Sequence, residues 1–246
     1  MMQVQSREET QTRTAVTELP SETTTPAKVV PVTSGVTRWL IAILDPIGRH
    51  LLMPFYFRRL QVTGQENLPK RGPVILAPTH RSRWDGLVMA YAAGKPVIGR
   101  DLRFMVSQDE IKGLQGWFIR RMGGFPVNTK HPTIGTIRHS VEILRSGGVL
   151  VMFPEGNIFR HGRINPLKPG MARIALQVAS SQPESDLKIV PISICYSEPV
   201  PHWRCDAKVS IGTPLNVVDY CTQSGKKSAQ QLTNDLEVAM NNLDQD

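Results

Sequence analysis

The chain has 246 residues, enough for one sizeable α/β domain with additions but not for two ordinary domains. Hydrophobic residues make up 40% of it, which suits a globular protein and excludes one that crosses a membrane many times. The formal charge of +8 points to an anionic partner, whether nucleic acid, an anionic membrane surface or a phosphorylated substrate, without choosing among them.

Residues 1 to 30 are rich in Thr, Glu, Gln and Ser and contain no apolar run of the kind a secretory signal needs. Too little apolar surface is available there to offset the entropy of ordering, so residues 1–34 are expected to form a disordered tail. Residues 35–59 carry two apolar stretches, Arg38 to Leu44 and Leu51 to Phe57, separated by Asp45, Pro46, Arg49 and His50. A spanning helix needs roughly 20 mostly apolar residues without such interruption. The segment instead suits a membrane interface, with Arg58 and Arg59 near anionic headgroups, or an amphipathic helix packed on the domain's own core.

Residues 60–246 read as the α/β domain. Leu60–Val62 alternates like a short strand. Val74-Ile75-Leu76-Ala77 and Val149-Leu150-Val151-Met152-Phe153 are uninterrupted apolar runs, predicted to be strands buried on both faces. Between them lie a helix from Leu87 that ends at Gly94, a strand at Arg103–Val106, a helix within Ile111–Arg121, an extended Phe125-Pro126-Val127, and a helix through Ile134, Ile137, Val141 and Leu144. A helix after Gly170, strands at Ile189–Ile194 and Ala207–Ile211, and an amphipathic helix carrying Leu232, Leu236, Met240 and Leu243 complete the chain. Strands alternating with helices imply a layered α/β sandwich with a largely parallel or mixed sheet. The three cysteines, Cys195, Cys205 and Cys221, form no C-x-x-C pair and read as free thiols.

The chemistry centres on His80-Arg81-Ser82-Arg83-Trp84-Asp85, directly after the first buried strand. Residues five apart on an α-helix lie about 140° apart around its axis, so the two ends of this box meet only if a loop curls back into a helix start. With Asp85 on one ring nitrogen, the other faces outward as a base for an attacking alcohol. Ser82-x-x-Asp85 is equally a helix-capping signature, which would leave His80 an ordinary loop residue. Phe153-Pro154-Glu155-Gly156 follows the second buried strand. Ligands of open α/β sheets bind beyond the strands' carboxyl ends, and both motifs fall there. Glu155 is positioned to accept hydrogen bonds from a polyol, and Gly156 to let a backbone N–H approach the substrate, unless Pro-Glu-Gly is simply a turn. Arg120-Arg121-Met122-Gly123-Gly124 joins a glycine pair to cations that suit a phosphate, and Arg160, Arg163 and Lys168 add positive charge that is otherwise solvated surface.

Taken in order, the His80–Asp85 box, Gly124-Phe125-Pro126-Val127-Asn128, Phe153-Pro154-Glu155-Gly156 and Val190-Pro191-Ile192 resemble the four blocks of the glycerolipid acyltransferases, which include the lysophosphatidate acyltransferases. Pro166–Gly170 and Ile211–Pro214 add to the likeness, which covers residues 60 to 215. The resemblance implies the layered fold of the glycerol-3-phosphate acyltransferases and transfer of a fatty acyl group from acyl-CoA or acyl-carrier protein to 1-acyl-glycerol-3-phosphate, giving phosphatidate. It implies no metal or redox cofactor.

By resemblance His80 is the base and Asp85 its orienter, Glu155 and Gly156 bind the glycerol part, and Pro191 lies near the acyl donor. The family's second block ends in Asp-Arg; here Asn128 and Thr129 stand there, followed by Lys130. Lys130 brings a point charge but no bidentate fork, so phosphate recognition is expected to fall to Lys130, Arg160 or Lys168, with Arg83, Asn128 and Thr129 lining the same site. The acceptor is then either lysophosphatidate or another lysophospholipid or glycerol 3-phosphate. A non-catalytic lipid-binding protein on the same fold is the alternative class, opposed by the intact His80 and Asp85. No nucleic-acid-binding pattern and no G-x-S-x-G elbow is present. A peripheral membrane enzyme on the cytoplasmic face is expected.

Overall fold

The computed structural model describes residues 32–129, 131–221 and 225–245. Most of the expected N-terminal tail, and Lys130, lie outside the described residues. The described chain opens with helix α1 (Arg38–Ile47), which continues through a π-helical turn (Gly48–Leu52) into α2 (Met53–Tyr56). Then follow β1 (Arg59–Thr63), β2 (Val74–Pro78), α3 (Asp85–Ala93), α4 (Lys95–Ile98), β3 (Leu102–Ser107), α5 (Gly113–Arg121), β4 (Gly124–Val127), α6 (Ile134–Arg145) and β5 (Val149–Val151). The remainder is α7 (Gly170–Ser181), β6 (Lys188–Tyr196), β7 (Asp206–Ile211), β8 (Leu215–Asn216) and α8 (Gly225–Gln245).

The strands form one sheet in the order β1-β7-β6-β2-β5-β3-β4, with β8 pairing β6. Five pairings are parallel, and the two antiparallel ones both involve β6. β2 and β5 sit at the centre because their apolar runs leave no polar face to show to water. Their alternation divides the core: Val74 and Leu76 of β2 and Val149 and Val151 of β5 pack with Met53, Val88, Met89 and Ile98 on one face. Ile75, Ala77 and Leu150 pack with α6, α7 and α8 on the other. Val74, Ile75 and Leu76 are all fully buried, each contributing about 1.5–3 kcal/mol of hydrophobic stabilisation.

The β2-to-β3 and β3-to-β4 connections step one way across the sheet; β4-to-β5 and β5-to-β6 step back. Right-handed crossovers therefore put α3 and α5 on one face and α6 and α7 on the other. Pro191, inside β6, is tolerated because it falls where the strand changes partner from β8 to β7: Ile189 pairs Leu215, Ile192 pairs Ile211, and the Pro191 carbonyl accepts from Gly212 N–H at 2.9 Å.

The 35–59 segment packs on the domain's own core along one side and leaves an apolar stripe exposed along the other. Leu40, Met53 and Phe57 are buried, and Arg49 donates to the Tyr91 carbonyl of α3 at 2.7 Å. Trp39, Ile43, Ile47, Leu51 and Phe55, spaced by four, point outward and are 46–66% exposed. Trp203 extends this stripe, its ring 6.1 Å from that of Phe55. Arg58, just before β1, makes a two-point bond to Asp206, Nε to Oδ1 at 2.9 Å and Nη2 to Oδ2 at 2.6 Å, tying the start of β1 to β7 while its side chain stays exposed. Among the described residues no helix is long and apolar enough to cross a membrane.

Candidate active site

Beyond the carboxyl end of β2, Thr79 turns inward, accepting from Ile194 N–H at 2.8 Å and donating to the Ile194 carbonyl at 3.2 Å. That anchor fixes where His80 leaves the sheet. Residues 80–84 then curl into α3, whose first residue is Asp85. The carboxylate is completely buried at the positive end of the helix. Its Oδ2 accepts from His80 Nδ1 at 2.8 Å, Arg81 N–H at 2.6 Å and Ser82 N–H at 2.8 Å. Its Oδ1 accepts from the Tyr196 hydroxyl at 2.7 Å.

The capping geometry and the His–Asp pair are thus the same structure. Asp85 reaches back to Ser82 N–H while Ser82 Oγ accepts from Trp84 N–H at 3.2 Å, and the oxygen that closes the box also holds the imidazole. Because a carboxylate is acceptor-only, Nδ1 carries the proton and Nε2 faces outward with its lone pair free. The ring stacks on Phe153 at 4.1 Å, which limits its rotation, and stays partly open to solvent.

A second buried carboxylate braces the same loop. Glu155 Oε1 accepts from His80 N–H at 3.1 Å and Arg81 Nη1 at 2.9 Å; Oε2 accepts from Arg81 Nη1 at 3.0 Å and from the backbone and side-chain N–H of Asn165 at 3.2 and 3.1 Å. Phe159 N–H donates to the His80 carbonyl at 2.8 Å. The loops after β2 and β5 are therefore one hydrogen-bonded unit around His80.

Two titratable groups lie behind the pair, Tyr196 on Asp85 and Cys205 beside Tyr196. Burial, with Asp85 alongside, pushes the Tyr196 phenol far above its ordinary range, so it stays a donor. Burial also raises the neighbouring Cys205 thiol.

An acyltransferase family model matches residues 59–195, more than half of the chain. The chain belongs to the acyltransferase family. It is 27% identical over 180 residues to the 1-acyl-sn-glycerol-3-phosphate acyltransferase of Streptococcus pneumoniae, an alignment covering 70% of this chain but only 61% of that protein's length. The Bacillus subtilis protein of the same name is 23% identical, with 75% of this chain and 88% of that protein covered. The porcine mitochondrial glycerol-3-phosphate acyltransferase 1 is 27% identical over 69% of this chain and 22% of its own length. Among solved structures, the 1-acyl-sn-glycerophosphate acyltransferase of Thermotoga maritima shares the fold, with a TM-score of 0.63 at 18% identity, covering 85% of this chain and 80% of that one.

Within this acyltransferase the other expected site residues divide into three groups. The first is turned inward. Both oxygens of Glu155 are occupied by the protein, so it cannot also be the open polyol acceptor expected from its position in the sequence. Gly156, at φ +74°, donates its N–H to the Phe153 carbonyl at 3.1 Å, closing a turn instead of facing a substrate. Pro191 is buried inside the sheet opposite Ala77. The second group is exposed on the chain following Gly156: Arg160, next to the Phe159 whose N–H bonds the His80 carbonyl, and Lys168, whose side chain lies where a Cβ on Gly156 would stand.

The third group lies further out. Arg83 is exposed and pairs with Glu110 after β3 at 2.9 Å. Asn128 and Thr129 follow β4, three strand spacings or about 14 Å from the line of β2, and Asn128 Oδ1 accepts from His131 N–H at 3.1 Å. The Gly123-Gly124 pair and its arginines are at the opposite end of the sheet, because parallel β4 begins there. Arg121 lies over the Trp117 ring at 4.3 Å, so this set does not form the expected phosphate site beside His80. Sequence reasoning missed Arg81, Asn165 and Tyr196. A buried charge needs a buried partner, which was the available signal for Arg81 and Glu155; nothing local marked Tyr196.

Proposed function

We propose that the protein transfers a fatty acyl group from acyl-CoA or acyl-carrier protein to the free hydroxyl of 1-acyl-glycerol-3-phosphate, forming phosphatidate. The observation that carries this reading is the outward Nε2 of His80, backed by a buried Asp85, in a chain of the acyltransferase family. Nε2 takes the hydroxyl proton as the acceptor oxygen bonds to the thioester carbonyl carbon. The tetrahedral intermediate then collapses, the carbon–sulfur bond breaks, and the leaving thiolate recovers the proton from the imidazolium. No metal or redox cofactor enters this scheme; the thioester is a co-substrate.

For phosphate recognition, Arg160 and Lys168 are the favoured cations because they are exposed on the loop that is hydrogen-bonded to the His80 loop. Thr129 and Lys130 serve an acceptor that reaches toward β4. A second acceptor class, glycerol 3-phosphate or another lysophospholipid, is favoured by Asn128-Thr129 where the resemblance leads one to expect Asp-Arg. We further infer that residues 35–59 form a membrane-interface segment ahead of an acyltransferase domain running to residue 246. The exposed stripe from Trp39 to Phe55, with Trp203, would rest in the interface of an anionic leaflet on the cytoplasmic face.

The test is acyl transfer from both donors to a panel of lysolipids and glycerol 3-phosphate, comparing wild type with His80→Ala. Phosphatidate formation by wild type, lost at least about a hundredfold in the variant, supports the reading. Equal behaviour of the two proteins on every acceptor would overturn it in favour of lipid binding without catalysis.

A further inference from the structure

Asp85 can orient His80 only if its own carboxylate cannot roll. Oδ2 is held by three donors that all belong to the loop it organises, residues 80 to 82. Those bonds move with the loop and leave the carboxylate free to turn about them. Oδ1 is held from elsewhere: Tyr196, at the end of β6 and 111 residues away, is its one hydrogen-bond donor among the described residues. The Tyr196 ring is itself fixed, stacked 6.0 Å from Phe57, which in turn meets Trp84 edge-on at 5.7 Å. With Asp85 completely buried, no water competes for that oxygen.

We propose that Tyr196 is a positioning residue for acyl transfer: its hydroxyl ties Asp85 to the rigid end of β6 and sets how strongly the carboxylate holds the His80 proton. The assignment rests on the function proposed above. A phenol bonded to a carboxylate draws charge away from it. Without that bond Oδ1 is left bare in an apolar setting, and Asp85 grips the imidazolium more tightly. The base then gives up its proton only at higher pH. The charged and titratable groups around the pair are Tyr196 from β6, Cys205 before β7, Tyr56 from α2, and Arg81 with Glu155 from the two loops. Burial holds the Tyr196 phenol and the Cys205 thiol above their ordinary values and so neutral below pH 8, and Arg81 faces Glu155, so movement of an acid limb reports the His80–Asp85 pair.

The experiment is Tyr196→Phe, which removes the hydroxyl and keeps the ring, with Phe57→Leu to disturb the packing and keep the hydroxyl. Two readouts are taken against pH: kcat and KM for acyl transfer, and the rate at which diethyl pyrocarbonate modifies His80, followed by mass spectrometry. For Tyr196→Phe we expect kcat to fall about tenfold with KM nearly unchanged, the scale of one hydrogen bond to a charged group. The acid limbs of both profiles should rise by about half a pH unit or more, while Phe57→Leu leaves them in place.

Unmoved limbs in Tyr196→Phe, whether or not kcat falls, would overturn the proposal and leave Tyr196 a packing residue. Should Tyr196→Phe fail to fold, 3,5-difluorotyrosine at this position, a stronger donor, must move the limbs the opposite way or the proposal fails. If wild type transfers acyl groups to no acceptor, the functional reading falls, and the pyrocarbonate profile still decides whether Tyr196 governs the pair.

Discussion

Removing the Glu155 carboxylate should damage the fold before it damages any substrate contact. Glu155→Gln keeps the shape but cancels the charge facing Arg81, and it turns one accepting oxygen into an NH2. That NH2 must then face either His80 N–H or the Asn165 donors, and Arg81 Nη1 in both cases. Glu155 and Arg81 are 2% and 5% exposed, so water cannot make up the loss. Leaving one partner of such a buried pair costs about 3–5 kcal/mol. For a domain of this size that lowers Tm by about 6–20 °C. The assay is urea unfolding of Glu155→Gln, Arg81→Met and the double variant Glu155→Gln/Arg81→Met. The double variant should lose less than the sum of the two single losses, because it leaves neither charge buried without its partner. Single losses under about 1 kcal/mol, or strictly additive losses in the double variant, would refute the reasoning, since such values belong to a solvated pair.

Three further outcomes are expected. Gly156→Ala strains a positive-φ turn and pushes its methyl into the Lys168 stem; it should cost about 1–2 kcal/mol in urea unfolding and raise KM more than it lowers kcat if Lys168 holds the acceptor phosphate. Ile43→Asp and Leu51→Asp place charges on already exposed positions, so Tm should hold within about 2 °C while binding to anionic vesicles weakens; unchanged sedimentation with vesicles would remove the interface from Trp39–Phe55.

The third outcome concerns pH. Burial lowers the His139 pKa below its ordinary value, despite Glu142 nearby and with Arg103 adding to the effect, and its Nε2 lies 2.8 Å from Ser34 Oγ. The folded state therefore binds fewer protons than the unfolded chain just below pH 6.5. This contribution to stability is complete above about pH 6.5 and is lost as pH falls from there toward the folded-state pKa. His139→Gln should flatten that part of the Tm–pH curve, and an unchanged slope would show that other groups set it.

Much of the fold could be read from the chain because its central strands are uninterrupted. Val74–Ala77 and Val149–Val151 are fully buried, as their apolar runs require, although β5 stops short of the expected Phe153, whose half-buried ring leaves the sheet to stack on His80; the helix ends at Gly94 and at Gly147-Gly148 follow from backbone chemistry. The His80–Asp85 pairing was legible because both residues lie on one loop. What escaped depends on meetings across the sheet. Arg81 and Glu155 are 74 positions apart, and Asp85 and Tyr196 are 111 apart; they meet only because β5 and β6 flank β2. Glu155 looked like a ligand for substrate because nothing local revealed Arg81 as its partner. The arginines before Gly123 looked like part of the site because proximity in sequence does not say at which end of a parallel strand a residue falls.

The π-helical turn at Gly48–Leu52 acts as a rotational register. Its i-to-i+5 bonding takes in more residues per turn than an α-helix, offsetting the drift that a spacing of four otherwise accumulates. Trp39 and Phe55, sixteen positions apart, thereby end on one side. Winding the same residues as a plain α-helix would instead swing everything beyond them by up to about 100° relative to α1. Phe55 would then leave the outer stripe, or Phe57 its place against Trp84 and Tyr196. A one-residue deletion between residues 48 and 52 should therefore keep the outer stripe by giving a plain α-helix, whereas a one-residue insertion should break it.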